Sequence, residues 1–230
     1  MKQLDYLPLF DFDEDQEKFV EALLNKEKLI VFCDAKAGTG KTTLAMWAAN
    51  VLYQDKRNGY DGVVYIVSPY GEQRQGFLPG NQTAKSEVYF EPAYQAIVEI
   101  GLNPYVDVCT DSLVAKKGDS AKRNEALKRG EGFIRLLTHT YLRGSNLAKK
   151  IIIIDEAQNF TAAELKKVLT RIHDDCKVIV IGHTGQIDIH GGSGFERYLK
   201  HFEGEAKCEV CKLTVNHRGW ISTFADELPE

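Results

Sequence analysis

The sequence predicts an α/β fold in which a parallel sheet is sandwiched between helices. Five apolar runs bounded by turn signals are candidate core strands, and they span residues 29–33, 63–68, 151–155, 178–182 and 211–215. Runs this uniformly apolar are typical of strands that helices bury on both faces. Helix-like segments alternate with them, as at 162–173, where apolar residues recur at three- and four-residue spacing.

The first candidate strand leads into a phosphate-binding loop. Residues 35–42 read Ala-Lys-Ala-Gly-Thr-Gly-Lys-Thr and precede a helix-like stretch, which is the strand–loop–helix context that such a loop needs. Gly38 and Gly40 let successive amides point inward around phosphate oxygens at a helix N-terminus. Lys41 is expected to reach the β- and γ-phosphates, and the Thr42 hydroxyl to ligate Mg²⁺.

The other half of a nucleotide-hydrolysis site ends the third candidate strand. Four isoleucines precede Asp155 and Glu156. Asp155 is placed to hold the Mg²⁺ shell, and Glu156 to orient and deprotonate the attacking water. The two halves together predict a P-loop NTPase with a RecA-like parallel sheet.

Length and composition limit the class further. The 230 residues suffice for one sizeable domain, so we expect a single domain over 1–230 with an insertion at about 70–135. A net charge of −4 argues against a uniformly basic surface that coats nucleic acid. Five cysteines without a secretory signal, and no stretch near the roughly 18 apolar residues that span a bilayer, predict a cytoplasmic protein with no membrane segment.

Two local patterns allow more than one interpretation. Cys208 and Cys211 suggest zinc, but the segment resembles a strand, on which residues three apart point to opposite faces. No second cysteine pair has finger-like spacing, so a strand is favoured. Residues 115–130 carry six Lys or Arg against two acids. That run is either a solvated surface or a contact with the backbone of RNA or single-stranded DNA.

Further motifs make the chain resemble the PhoH-like family over most of its length. They are Gly76-Phe-Leu-Pro-Gly80, Tyr141-Leu-Arg-Gly144, Asp155-Glu-Ala-Gln-Asn159, Leu169-Thr-Arg-Ile172 and Gly182-x-x-x-Gln186-Ile-Asp188. The resemblance implies a single-domain ATPase, similar to the first motor domain of superfamily-one helicases, and a short member of the kind that phages carry. It favours ATP over GTP, and RNA or single-stranded DNA as a partner.

The resemblance also implies roles for single residues. Gln16 would read adenine, and Arg218 would stabilise charge on the transferring phosphoryl group. Gln186 follows the fourth strand, which in a RecA-like sheet lies between the loop strand and the acidic strand, so its amide can reach the γ-phosphate. The catalytic candidates are Glu156, Lys41, Gln186 and Arg218. The nucleotide-binding candidates are Gln16, Ala37, Gly38, Thr39, Gly40, Lys41, Thr42 and Thr43, and the metal ligands are Thr42 and Asp155.

Two positions depart from the usual patterns. Ala35 stands where phosphate loops have glycine, although the two inner glycines are intact. His183 stands where the family has aspartate, beside the sensor that couples hydrolysis to motion.

Three functions remain open: a nucleic-acid motor or RNA-associated ATPase, a phosphotransferase, and a nucleotide-dependent switch that acts through protein partners. Helicase-like motors close the ATP site between two domains, yet only twelve residues follow Arg218. We therefore expect a head-to-tail homo-oligomer, such as a hexameric ring. A neighbour would supply Arg143, or an arginine within 123–135, to the site.

Overall fold

A six-stranded sheet forms the centre of the protein. The computed structural model describes residues 11–69, 87–109, 132–142, 146–186, 189 and 192–226. The strands are β1 (Ile30–Ala35), β2 (Gly62–Val67), β3 (Ile134–Thr138), β4 (Lys150–Ile154), β5 (Lys177–Gly182) and β6 (Cys208–Leu213). Their order is β3-β2-β4-β5-β1-β6, and every neighbouring pair is parallel. The predicted parallel α/β architecture is confirmed.

Helices cover both faces of this sheet. Those in the described residues are α1 (Glu14–Leu24), α2 (Lys41–Gln54), α3 (Glu91–Glu99), α4 (Pro104–Asp107), α5 (Ala162–Leu169), α6 (Phe195–Phe202) and α7 (Trp220–Asp226). The apolar sides of α1, α2 and α3 share one core with alternate strand residues, and α5 and α6 share the other core with the residues between them. The alternation along β1 shows why residues 29–33 are all apolar: Val31 and Cys33 enter the first core, and Phe32 enters the second.

The strand bounds differ by one or two residues from those expected, and three larger differences stand out. Strand β3 was missed, because an exposed arginine interrupts its apolar run and it pairs on one side only. Strand β6 begins at Cys208 rather than residue 211. Helix α5 ends at Leu169, where Thr170 caps it and a turn follows. Most of the expected insertion at about 70–135 lies outside the described residues, apart from α3, α4 and the start of β3.

The two cysteines of the Cys-x-x-Cys pattern lie on opposite faces of β6. Cys208 packs into the core beneath α5 and α6, whereas Cys211 packs against the core beneath α1 and α2. The two thiols therefore diverge, as expected for residues three apart on a strand.

In the part of the chain that the structure describes, no helix is long and apolar enough to cross a bilayer.

The strand order brings the two predicted motifs to one edge of the sheet. Strand β5 lies between β1, which leads into the phosphate loop, and β4, which ends before Asp155. All strands are parallel, so their carboxyl ends share an edge, which is where α/β sheets bind ligands. The expected position of β5 between the loop strand and the acidic strand is confirmed.

Candidate functional site

Two glycines shape the loop between β1 and α2. Gly38 and Gly40 adopt left-handed conformations, with φ of 77° and 78°, and Gly40 is the N-cap of α2. The loop is braced from within by Thr39, whose buried hydroxyl donates to the Lys36 carbonyl over 3.0 Å. A β-carbon at Gly38 would lie 2.5 Å from Asn216 Oδ1. Both the backbone angle and the close neighbour therefore require glycine at this position.

Thr42 and Asp155 meet across the sheet edge. The Thr42 hydroxyl donates to Asp155 Oδ2 over 2.8 Å, although 113 residues separate the two. The Tyr65 hydroxyl donates to the same oxygen over 2.6 Å, and the Glu156 amide donates to Asp155 Oδ1 over 2.7 Å. The structure therefore brings the two predicted metal ligands together, and both oxygens of the carboxylate are fixed.

Burial governs the ionisation of this cluster. Asp155 and Tyr65 are fully buried. Desolvation, and then the neighbouring Glu156 carboxylate, raise the pKa of Asp155, while hydrogen bonds from Tyr65 and Thr42 and the charge of Lys41 oppose that rise. Desolvation also raises the pKa of Tyr65 well above its usual value, and the charge of Asp155 adds to the rise. Tyr65 is therefore a protonated hydrogen-bond donor.

Glu156 is held in an unusual backbone conformation beside Lys41. Its φ of 48° and ψ of 44° are left-handed, which is uncommon for a residue other than glycine. Its Oε1 lies 3.6 Å from Lys41 Nζ, and its Oε2 accepts a 2.5 Å hydrogen bond from Gln158 Nε2. The predicted water-activating carboxylate thus faces the predicted phosphate-binding lysine.

Gln158 links Glu156 to the segment after β5. Its amide oxygen accepts from the His183 amide over 3.0 Å. The same segment is tied to β1 by Thr184, whose amide and hydroxyl donate to the Asp34 carboxylate over 2.9 and 2.8 Å. Gln186 lies at the end of this segment and is exposed. Its backbone amide donates to the His183 carbonyl over 3.4 Å.

Gln16 lies against the phosphate loop at the start of α1. Its Nε2 donates to the Thr39 carbonyl over 3.0 Å. Its Oε1 accepts from the Asp13 backbone amide over 3.3 Å, and the Asp13 carboxylate accepts from the Gln16 backbone amide. These two reciprocal bonds form a capping box. Gln16 therefore lies beside the phosphate loop, and its side-chain amide braces the loop.

The segment before α7 closes over the same loop. The His217 amide donates to the Gly38 carbonyl over 2.8 Å, and its Nε2 lies 2.9 Å from Asp13 Oδ2. The Asn216 side chain accepts from the Arg218 amide over 2.9 Å. Arg218 is exposed beside Gly38, and no acidic side chain of the described residues lies within ion-pair distance of its guanidinium. It is available to an anion bound in the loop.

A cleft of about 380 Å³ lies over the phosphate loop, and neither Asp155 nor Glu156 is among its lining residues. Its lining includes Gln16, the loop residues from Gly38 to Thr43, His217, Arg218, and one face of α3. Ala37 is half-buried in the loop and does not line the cleft. A larger cavity of about 560 Å³ lies beside the starts of β1, β5 and β6, at the far end of the sheet from the phosphate loop.

Several predicted groups fall outside the described residues. Arg143, the basic run at 115–130 and the Gly76–Gly80 motif are among them. Conversely, sequence reasoning missed Tyr65, Gln158 and His217, which contact the site through tertiary structure. The one signal for Tyr65 was a hydroxyl-bearing residue in the otherwise apolar run of β2.

Comparison with known proteins identifies a family that matches most of the chain. A family model described as PhoH-like protein matches residues 12–218. The chain is 32% identical over 223 residues to the PhoH-like protein of Mycobacterium leprae, covering 94% of this chain and 57% of that protein. It is 31% identical over 220 residues to protein PhoH2 of Bacillus subtilis, covering 93% and 46%. It is 29% identical over 215 residues to protein PhoH of Escherichia coli K12, covering 91% and 54%.

The chain therefore spans about half the length of the curated relatives that it matches. Among solved structures, the Pif1 helicase from Candida albicans aligns with 95% of this chain and 43% of its own, at 16% identity and a TM-score of 0.41.

Proposed function

This chain belongs to the PhoH-like protein family, and we propose that it is an ATPase that binds ATP with Mg²⁺ and hydrolyses it. The observation that carries the proposal is the contact between Thr42 and Asp155, which joins two sequence motifs into one site. Glu156 lies directly beside it, within 3.6 Å of Lys41. A buried acid, a second acid and a lysine at a phosphate loop are the groups that phosphoryl transfer to water requires.

The donors at the sheet edge fit Mg²⁺. This ion prefers hard oxygen ligands and keeps several waters, so a hydroxyl and one carboxylate are a sufficient protein contribution. Thr42 and Asp155 supply that pair, and burial of Asp155 makes a nearby cation favourable because its charge is otherwise poorly solvated. When bound, the ion would neutralise charge on the phosphate oxygens.

The remaining residues position and activate the reactants. The loop amides, Lys41 and Arg218 would neutralise the triphosphate. Glu156 would accept a proton from the attacking water. The oxygen of that water would bond to the γ-phosphorus while the bond between the γ-phosphorus and the β–γ bridging oxygen breaks, and ADP would leave. Lys41 would exchange its contact with Glu156 for the phosphates, which frees that carboxylate. Gln186, after β5, is proposed to sense the γ-phosphate.

Recognition of adenine by Gln16 is a further part of the proposal. Its position on the cleft supports this role, and a resting contact with the Thr39 carbonyl would couple base binding to the shape of the loop. Exchange of Gln16 for alanine should lower the affinity for ATP. An unchanged affinity would restrict Gln16 to bracing the loop.

We further propose that hydrolysis is coupled to RNA or single-stranded DNA. Support comes from the helicase-like motif set and from the basic run at 115–130. The alternative is a nucleotide-dependent switch that acts through protein partners. A phosphotransferase ranks third, because Glu156 is proposed to activate water rather than another acceptor.

Three measurements test the proposal. Phosphate release from ATP with no added acceptor should be detectable with Mg²⁺ and absent with EDTA, whereas a phosphotransferase would need an acceptor. RNA or single-stranded DNA should then raise the rate. If alanine at Lys116, Lys117, Lys122 and Arg123 leaves nucleic-acid affinity and its salt dependence unchanged, the basic run is only solvated surface; each lost phosphate contact should lower the salt slope by about one.

A further inference from the structure

Helix α3 forms a wall of the nucleotide cleft that the sequence motifs did not indicate. Pro92, Gln95, Ala96 and Glu99 all line the cleft, at the i, i+3, i+4 and i+7 spacing of a single helix face. The buried residues of α3 anchor this helix in the same core as α2. Glu99, at the end of this face, is the one acidic side chain that α3 presents to the cleft.

Glu99 has a fixed position relative to the phosphate loop. The Thr43 hydroxyl donates to Glu99 Oε2 over 2.7 Å. Thr43 directly follows Thr42, and consecutive residues of a helix point about 100° apart. Thr42 points to Asp155 at the metal and γ-phosphate end of the site. Glu99 therefore lies on a different side of the loop from Asp155, in the cleft that Gln16 also lines. A nucleotide with its γ-phosphate near Thr42 and its adenine near Gln16 would place its ribose along this cleft.

The charge of Glu99 limits what it can bind there. An ionised carboxylate accepts hydrogen bonds and donates none, and it repels phosphate oxygens. The groups of a nucleoside triphosphate that can donate next to the α-phosphate are the ribose hydroxyls. Acidic side chains read these hydroxyls in dinucleotide-binding folds, where they also lie beyond the phosphate-binding helix N-terminus.

We infer that Glu99 is a specificity-determining residue that reads the ribose of the bound nucleotide. Thr43 holds Oε2, which leaves Oε1 to accept from a ribose hydroxyl. This inference rests on the ATP site proposed above. It also gives a role to a carboxylate at the edge of the proposed triphosphate site, where it would otherwise weaken triphosphate binding.

The test compares affinities for ATP, 2′-deoxy-ATP and 3′-deoxy-ATP by calorimetry. The wild type should bind ATP about tenfold more tightly than at least one of the deoxy analogues, because a hydrogen bond to a charged group is lost. Glu99→Ala should abolish that preference, and Glu99→Gln should retain part of it. Glu91→Ala, on the same helix but outside the cleft, should behave as the wild type.

The Thr43→Val variant distinguishes a role of Glu99 in ribose recognition from a purely structural contact between α3 and α2. If Glu99 only fastens α3 to α2, Glu99→Ala and Thr43→Val will weaken all three nucleotides by the same factor and keep the wild-type preference, which would overturn the inference. Equal affinity of the wild type for ATP and both analogues would also overturn it, while leaving the ATP site intact. Failure of the wild type to bind any of the three would overturn the ATP site and this inference together.

Discussion

The Tyr65 hydroxyl donates to Asp155 Oδ2, the oxygen that also accepts from Thr42. The register of the sheet produces this contact. Tyr65 pairs with Ile153, and Asp155 lies two residues further along on the same face. The phenol therefore holds the carboxylate from the buried side, while Thr42 holds it from the cleft.

Tyr65→Phe should raise the Mg²⁺ concentration needed for half-maximal hydrolysis by about tenfold, the usual effect of losing a group that orients a metal ligand. Nucleotide affinity measured in EDTA should not change, because the hydroxyl that is removed donates to the Asp155 carboxylate and, within the described residues, does not bond to the phosphate loop. Tyr53→Phe is the matched control, since the Tyr53 ring stacks on Phe133 away from the site. An unaltered Mg²⁺ requirement would show that the contact is structural alone.

Glu156→Gln should keep nucleotide binding and lose most hydrolysis. The amide preserves the shape of the side chain but cannot take a proton from water, and a positioned base contributes about 10²- to 10⁴-fold. Single-turnover hydrolysis and a binding titration on the same preparation separate the two effects. Turnover equal to that of the wild type would refute the assignment of Glu156 as the base.

Gln158→Leu should lower kcat by about tenfold with little change in ATP affinity. Its side-chain amide contacts both Glu156 and the His183 backbone, so the substitution releases the base and removes the acceptor of the His183 amide. Steady-state kinetics beside a binding titration provide the readout. Gln54→Leu, at the exposed end of α2, is the control. A loss confined to affinity would place Gln158 in nucleotide binding instead.

Lys177 should give stability a specific pH dependence. Its buried ammonium donates to the carbonyls of Ala22, Asn25 and Lys28, and burial lowers its pKa to about 8 from the usual 10.5. Between these two values the unfolded chain binds more protons, so stability rises with pH.

The free energy of unfolding of the wild type, relative to Lys177→Met, should therefore increase by up to about 3 kcal/mol from pH 8 to 10.5. Denaturant titrations at several pH values measure this difference. Subtraction of the variant's value removes the opposing contributions that titrating tyrosines and cysteines make to the free energy of unfolding. A constant difference would mean that Lys177 titrates near its usual value.

The final prediction concerns assembly. Helix α7 begins two residues after Arg218 and exposes Trp220, Ile221 and Phe224, which is the kind of apolar surface that associates. If a neighbour supplies Arg143 in trans, mixtures of Glu156→Gln and Arg143→Ala subunits should regain part of the activity that each lacks alone. Full ATPase activity of a monomer, established by sedimentation, would contradict the ring.

The sequence alone determined the class of the fold and predicted which groups meet at the candidate site. Apolar runs such as 151–154 are suited to burial on both faces, and a parallel sheet whose crossover helices cover both of its faces provides that burial. Gly38, Gly40 and Lys41 are dictated by the backbone and charge that phosphates require. Asp155 and Glu156 are expected at the same site because they come directly after a buried strand, at the edge where the carboxyl ends of all the parallel strands lie.

Only the tertiary structure decided which distant side chains complete the site. Tyr65 reaches Asp155 because β2 pairs with β4 in one register, and a slip of one residue would turn its ring to the other face. Glu99 reaches Thr43 because α3 packs on α2, and Asn216 reaches Gly38 because β6 pairs with β1. These contacts depend on strand order, register and helix packing, which are set by the summed burial of the whole core rather than by any local pattern of residues.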